Sequence, residues 1–301
     1  MAVQIRSTGE RVFAFFNGLF LIAVSLVMLV PMLAVLKDSV DFGGQADVRL
    51  SLIPREFTGM YYAMIFRDRT VYRPFLNSVG VTVVGTFLGV FINAMAAYTM
   101  SRRELRGTKF FVYFLVVIPM VVGGGGMIAD YIYYSVTGLA NTYFVLILPS
   151  LAVGFYMILI RQYYWSIPFS LTESAQLDGA GEFTIFLKII SPMSKAIYAA
   201  IALYTGVSFW NSWYNALIFV HDPAKYTFPV KLRMMLFYPQ DAERWMYEWA
   251  IALGIDIQQV LVVFEGLSSA IIIVAVVPVI LIYPYLQRHF AAGVRVGAIK
   301  A

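Results

Sequence analysis

The chain has 301 residues, of which 60% are hydrophobic and only 13% charged, with a net charge of +5. A soluble domain carries about 25% charged residues, so composition excludes an ordinary soluble protein. The absence of cysteine removes disulfides and thiolate metal sites, and two histidines, His221 and His289, cannot build an imidazole-rich metal centre.

The apolar residues fall in blocks whose length matches the roughly 30 Å hydrocarbon core of a bilayer. Six spans are predicted, over 12–36, 75–100, 109–128, 142–161, 196–219 and 267–286. The first follows Arg6 and Arg11. It is too long for the core of a signal peptide, and no small-x-small cleavage site ends it, so it reads as a retained span. Pro149 and Pro278 sit inside the fourth and sixth, where neighbouring groups can re-satisfy the backbone.

Arg102, Arg103, Arg106 and Lys109 crowd the short loop between the second and third spans. Arg6, Arg11, Arg288, Arg295 and Lys300 lie near the two ends. The positive-inside rule makes that face cytoplasmic, with both termini on it and with the long loop 162–195. The segments 37–74 and 220–266 then lie outside. No basic run is interleaved with aromatics, so the positive charge reads as loop ends beside anionic lipid and not as a nucleic-acid site. The expected architecture is therefore one all-α membrane domain over 1–301, its core spans covering 75–286.

Within that frame, Gly85 and Gly89 form a small-xxx-small pair for close helix packing in the second span. Four consecutive glycines at 123–126 predict a break in the third span, followed by a short re-entrant helix. Asp130 then falls outside and is solvated; at membrane depth it would instead be a functional candidate. The stretch 247–264 mixes apolar and polar residues at helical spacing and predicts a helix lying against the bundle. Span five ends in Phe209-Trp210-Asn211-Ser212-Trp213-Tyr214-Asn215. Aromatic faces and amides that lipid would penalise make Trp210, Asn211, Tyr214 and Asn215 a candidate substrate path; an interfacial aromatic belt with packed asparagines is the alternative.

The loop at 170–192 carries the most chemistry. Ser170 and Glu173 fit a capping box for a helix over 171–178. Gly179 or Gly181 can end it in a left-handed conformation. A second helix over 182–190 is predicted to stop before Pro192. Ala175, Gly179, Ala180 and Gly181 keep the surface at the turn low, which fits either a docking knob or a solvated helical hairpin.

This loop resembles the EAA loop of permease subunits in bacterial binding-protein-dependent ABC importers. The family pattern runs Glu-Ala-Ala, three residues, Gly and, further on, Ile-x-x-Pro. Here it stands as Glu173-Ser174-Ala175, Gly179, then Ile189 and Pro192, with Ser174 as a departure that keeps a small side chain. Similarity extends over nearly the whole chain, through Asn141-Thr142, Leu148-Pro149, Trp210-Asn211, Trp213, Asp222-Pro223, Tyr283-Pro284 and Gly297-Ala298-Ile299-Lys300. It is strongest to the sugar-importer branch: the maltose-type second permease, and more closely permeases for oligosaccharides and polysaccharides, an alginate importer among them.

The resemblance implies a type I (MetI-like) permease fold in the bacterial inner membrane. It implies that Glu173, Ser174, Ala175, Leu177, Asp178, Gly179 and Ala180 insert into a separate ATPase, with Gly297, Ala298 and Ile299 reaching the same interface. The implied partners are a second related permease in a heterodimer, two ATPase subunits and an extracytoplasmic solute-binding protein. ATP and magnesium would be held by the ATPase.

No Gly-x-x-x-x-Gly-Lys-Ser/Thr loop occurs in this chain, and no catalytic constellation is evident. The competing reading is a secondary transporter working without an ATPase. Such proteins carry membrane-embedded ionisable residues and inverted repeats, neither of which is visible here.

Overall fold

The computed structural model describes residues 8–42, 52–102, 107–119, 126–237, 251, 254 and 260–298. Regular structure among them is helical, apart from one isolated antiparallel bridge between Asp41 and Phe57. Two compact units form, one from Met1–Arg67 with Met234–Ala275 and the other from Asp68–Arg233 with Val276–Ala301.

In the first unit, α1 (Thr8–Asp38) contains an 18-residue window of mean hydropathy 2.9, none of it buried. Phe13, Phe16, Phe20 and Val27 all stand exposed. A helix this apolar and this unburied is suited to hydrocarbon, because its backbone polar groups are satisfied within the helix itself. At its end the buried Lys37 pairs with Asp41 at 2.7 Å. The Asp41 carboxylate also accepts the backbone N–H groups of Arg55 and Glu56 at 2.9 and 3.0 Å. Burial pushes its pKa up, but the backbone hydrogen bonds and Lys37 outweigh that and hold it below the usual carboxylate value. One carboxylate thus closes the loop between α1 and α2 (Met60–Arg67).

The second unit is organised around α3 (Arg69–Ser101), which Asp68 caps by accepting from the Thr70 N–H at 2.7 Å. α3 packs against α7 (Gly154–Trp165) and α10 (Lys195–Trp210). A Cβ on Gly85 would lie 2.7 Å from the Phe209 ring, and one on Gly89 would lie 3.1 Å from Thr205 Cγ2. The pair read from sequence therefore serves packing inside this chain.

The expected third span begins with α4 (Thr108–Val112), continues as a π-helical turn over Tyr113–Val117, and is followed by α5 (Met127–Val136). Gly126 precedes α5 with φ +85°. The other three glycines of the run lie outside the described residues, as does most of the predicted helix over 247–264.

Two expected spans are interrupted. The fourth consists of α6 (Phe144–Ile147) with a 3-10 turn at Leu148–Ser150, then α7 at an angle of 50°. Pro149 supplies no N–H and starts the break. The orphaned groups find Asn93 of α3, which is fully buried. Its Nδ2 donates to the Leu151 carbonyl at 2.7 Å and to Gly89 O at 2.6 Å, while Val153 N–H donates to its Oδ1 at 2.9 Å. The fifth span ends at Trp210 with Asn211 as its C-cap, and a separate α11 (Tyr214–Phe219) follows. Beyond it come α12 (Phe228–Phe237) and α13 (Val260–Ala298).

Among the described residues, three helices are long and apolar enough to cross a membrane, or up to five when each bent pair counts as one span.

Candidate coupling site

The loop after α7 forms a helical hairpin. Its first arm, α8, runs over Ser170–Leu177, and its second, α9, over Glu182–Met193. The expected capping box does not form. Phe169, not Ser170, is the N-cap, and no side chain caps the helix. The Thr172 and Glu173 N–H groups donate instead to the Phe169 carbonyl at 2.9 and 3.1 Å, which draws Ser170 inside the first turn.

The C-terminal end follows the sequence expectation. Gly179 has φ +79°, a left-handed conformation that costs glycine little. Ala180 N–H donates to Ala175 O at 2.9 Å and Gly179 N–H to Gln176 O at 3.0 Å, the paired hydrogen bonds of a Schellman turn.

α9 does not stop before Pro192. It is α-helical over Glu182–Ile185, widens to a π-helical turn over Phe186–Ile190, and is α-helical again through Ser191–Met193. In the wide turn Ser191 N–H donates to Phe186 O, five residues back. That shift in the ladder lets the chain carry a proline with no N–H to give. An 83° bend then separates α9 from α10.

The hairpin is seated, not free. Ala175, Ile185, Phe186 and Ile190 form one apolar cluster with Ala94, Ala97 and Tyr98 of α3 and Ile160 and Tyr164 of α7, and Ala180 packs against it. Two of the small residues expected to lower the outer surface, Ala175 and Ala180, therefore face inward, where only a small side chain lets α8 approach. Glu173, Ser174, Leu177, Asp178 and Gly179 remain exposed, and Leu177 is 89% exposed.

A polar junction, which sequence reasoning missed, fixes the same hairpin. The Arg102 guanidinium, just past α3, donates from Nη2 to Glu182 Oε2 at 2.6 Å and Oε1 at 2.7 Å, and from Nε to Oε2 at 3.0 Å. The Tyr98 hydroxyl donates to Oε2 at 2.6 Å, and Gln176 Nε2 to Oε1 at 3.0 Å. The guanidinium also lies 5.2 Å from the Tyr98 ring centre. Partial burial pushes the Glu182 pKa up, but the hydrogen bonds from Tyr98, Arg102 and Gln176 prevail and hold it below its ordinary value. In the sequence Arg102 registered only as a positive-inside charge and Glu182 as a helix start.

Beside this junction lies a cavity of about 660 Å³, walled by Ser101, Arg102, Trp165, Pro168, Phe169 and Thr172 among others.

The candidate substrate residues do not form one helix face. Trp210 is buried, with its ring edge-on to Phe75 at 5.7 Å. Asn211 is exposed at the end of α10, while Tyr214 and the half-buried Asn215 belong to α11. The Tyr214 hydroxyl donates to Met127 Sδ at 3.1 Å, and Trp213 lies under the Arg233 guanidinium at 4.0 Å. Asn141, with φ +58°, accepts the His221 and Asp222 N–H groups at 3.1 and 2.9 Å. That contact joins two sequence signatures lying 80 residues apart. Asp130 is half-buried in the first turn of α5. Gly297 and Ala298 end α13, and Ile299 lies outside the described residues.

A helical membrane unit bearing a helix–glycine turn–helix hairpin on its core defines the class: the permease subunit of an ABC importer. The chain belongs to the family of binding-protein-dependent transport system inner membrane components, whose model matches residues 85–296. That range includes Arg102 and the entire hairpin. The chain is 34% identical over 284 residues to the polygalacturonan/rhamnogalacturonan transport system permease protein YtcP of Bacillus subtilis (strain 168), covering 93% of this chain and 96% of that one. It is 32% identical over 293 residues to Protein LplC of the same organism, covering 96% and 95%. In fold it is similar to a chain of a bacterial ABC transporter involved in the import of the acidic polysaccharide alginate, with a TM-score of 0.83 and 24% identity over 96% of this chain and 100% of that one.

Proposed function

We propose that this chain is a permease subunit of an ATP-driven importer for oligosaccharides or polysaccharides. A separate ATPase engages the exposed face of α8, through Glu173, Ser174, Leu177, Asp178 and Gly179. The observation that carries the reading is the asymmetry of that helix. Its inner face is packed on α3 and α7, while its outer face presents Leu177 and two carboxylates to a partner. Carboxylates at such an edge suit charge-assisted hydrogen bonds from arginine.

In this reading the chain lies in the bacterial inner membrane with six spans, and both termini and the hairpin are cytoplasmic. A second, related permease completes the pore, two ATPase subunits bind ATP and magnesium, and an extracytoplasmic solute-binding protein delivers the sugar. This chain holds no nucleotide. Closure of the ATPases displaces α8, and because the hairpin is seated on α3 and α7, those spans tilt and access alternates across the membrane. Asn211, Tyr214 and Asn215, gathered where α10 breaks, are the candidate sugar contacts; Trp210 supports them from the core. Gly297, Ala298 and Ile299 add a second ATPase contact. Carbohydrate as cargo is supported by the relatives, including permeases named for polygalacturonan/rhamnogalacturonan and for diacetylchitobiose uptake in Streptomyces coelicolor.

Glu173→Lys reverses charge on the exposed face without touching the seat of the helix. The expected result is loss of ATPase co-purification and of ATP-dependent uptake. Retention of both in the variant would remove the assigned role.

A further inference from the structure

Four residues on three elements meet at one carboxylate. Glu182 opens α9, Gln176 belongs to α8, Tyr98 lies in the last turn of α3, and Arg102 follows that helix directly. We infer that Glu182 is the positioning residue of the coupling device: through Arg102 and Tyr98 on one side and Gln176 on the other, it makes the ATPase-facing helix and the central span α3 move as one body. The inference rests on the coupling role proposed for α8.

The apolar seat alone does not provide this rigidity. Contacts among Ala175, Ile185, Phe186 and the α3 and α7 side chains are non-directional, and the hydrogen bond from the Tyr163 hydroxyl to Met193 O at 3.2 Å ties α9 to α7 and not to α3. The wall next to α8 is not solid either. A cavity of about 660 Å³ is lined by Phe169 and Thr172 together with Ser101 and Arg102 at the end of α3 and Trp165 at the end of α7. The directional bonds at Glu182, which lie beside this cavity, add resistance to shear. Arg102 presents its planar fork to both Glu182 oxygens, a geometry that fixes orientation as well as distance.

Burial is unequal across the pair. The Arg102 side chain is 9% exposed, whereas that of Glu182 is 57% exposed. Glu182 does not need a partner to survive burial; water reaches it. Arg102 does need one, and in pairing with Glu182 it ties the end of α3 to the hairpin. The Tyr98 ring, with its centre 5.2 Å from the guanidinium, supports it in the bonding orientation.

The test uses the whole importer, with its partner permease, ATPases and binding protein, reconstituted in proteoliposomes. The measured quantity is sugar transported per ATP hydrolysed. Glu182→Gln keeps the shape of the side chain and removes the charge. The expected result is a fall of about tenfold in that ratio, the effect of losing a charged hydrogen bond, with the ATPase still bound in normal stoichiometry. Exchanging the two charges in Arg102→Glu with Glu182→Arg is expected to restore the ratio above that of either single variant.

An unchanged ratio in Glu182→Gln overturns the inference, as does an exchanged pair no better coupled than the singles. Should the single variants fail to assemble, the exchanged pair decides: assembly with a restored ratio supports the inference, and failure overturns it. A native complex that transports nothing with ATP refutes the permease reading itself, a result distinct from any of these.

Discussion

At the scale of single residues, Glu182 shows how one partly solvated carboxylate can organise a junction. It accepts from a phenol, a guanidinium and an amide, and those bonds outweigh the cost of partial burial in setting its pKa below the usual value. A carboxylate lowered on folding binds protons less readily folded than unfolded. Its contribution is therefore fully present above the ordinary carboxylate pKa and is lost as pH falls through the lowered folded value. Thermal stability of the purified chain is accordingly expected to carry a component that fades as the pH falls below the ordinary glutamate value. That component is expected to be absent from Glu182→Gln, and the comparison of the two melting profiles checks it. The exposed members of the hairpin, Glu173, Leu177 and Gly179, were legible in the sequence because they form a local motif. The junction was not, because Arg102 and Glu182 lie 80 residues apart and each has a sufficient local explanation.

At the scale of elements, hydropathy locates spans but does not see where they break. Window averages treat Pro149 as one residue among twenty. The polar residue that makes the break tolerable, Asn93, sits in another helix and looks like an isolated polar lapse in an apolar run. It gives a donor to Leu151 O and an acceptor to Val153 N–H at the break, in a water-poor interior, and a second donor to Gly89 O of its own helix. Asn93→Leu removes all three bonds and leaves the Leu151 carbonyl and the Val153 N–H without their side-chain partner. The expected cost is about 2–4 kcal/mol, read as a lowered melting temperature of the detergent-solubilised chain.

The hairpin teaches a related lesson. A capping box is a probability written in local sequence, and here the chain gains an earlier turn because Phe169 O is available to two N–H groups. Proline likewise ends most helices, but a π-helical turn just before Pro192 absorbs the missing donor and carries α9 on to its bend. The low surface expected at the turn is also only half realised. Ala175 and Ala180 are small so that α8 can seat, and the docking face is left to the residues around them.

At the scale of the molecule, the two compact units divide the work that sequence could only partly assign. One unit carries the unburied apolar α1, whose exposed aromatic and aliphatic side chains suit lipid. The other carries α3, its glycine-mediated contact with α10, and the hairpin seated on α3 and α7. The central claim is that this second unit converts ATPase motion at α8 into movement of the spans. Its most direct test is sugar uptake into proteoliposomes holding the importer, with ATP supplied on the ATPase side and no ion gradient present. The account predicts binding-protein-dependent uptake that requires ATP and is abolished by Glu173→Lys. Uptake by the purified chain alone, driven by an ion gradient and indifferent to ATP, would contradict it.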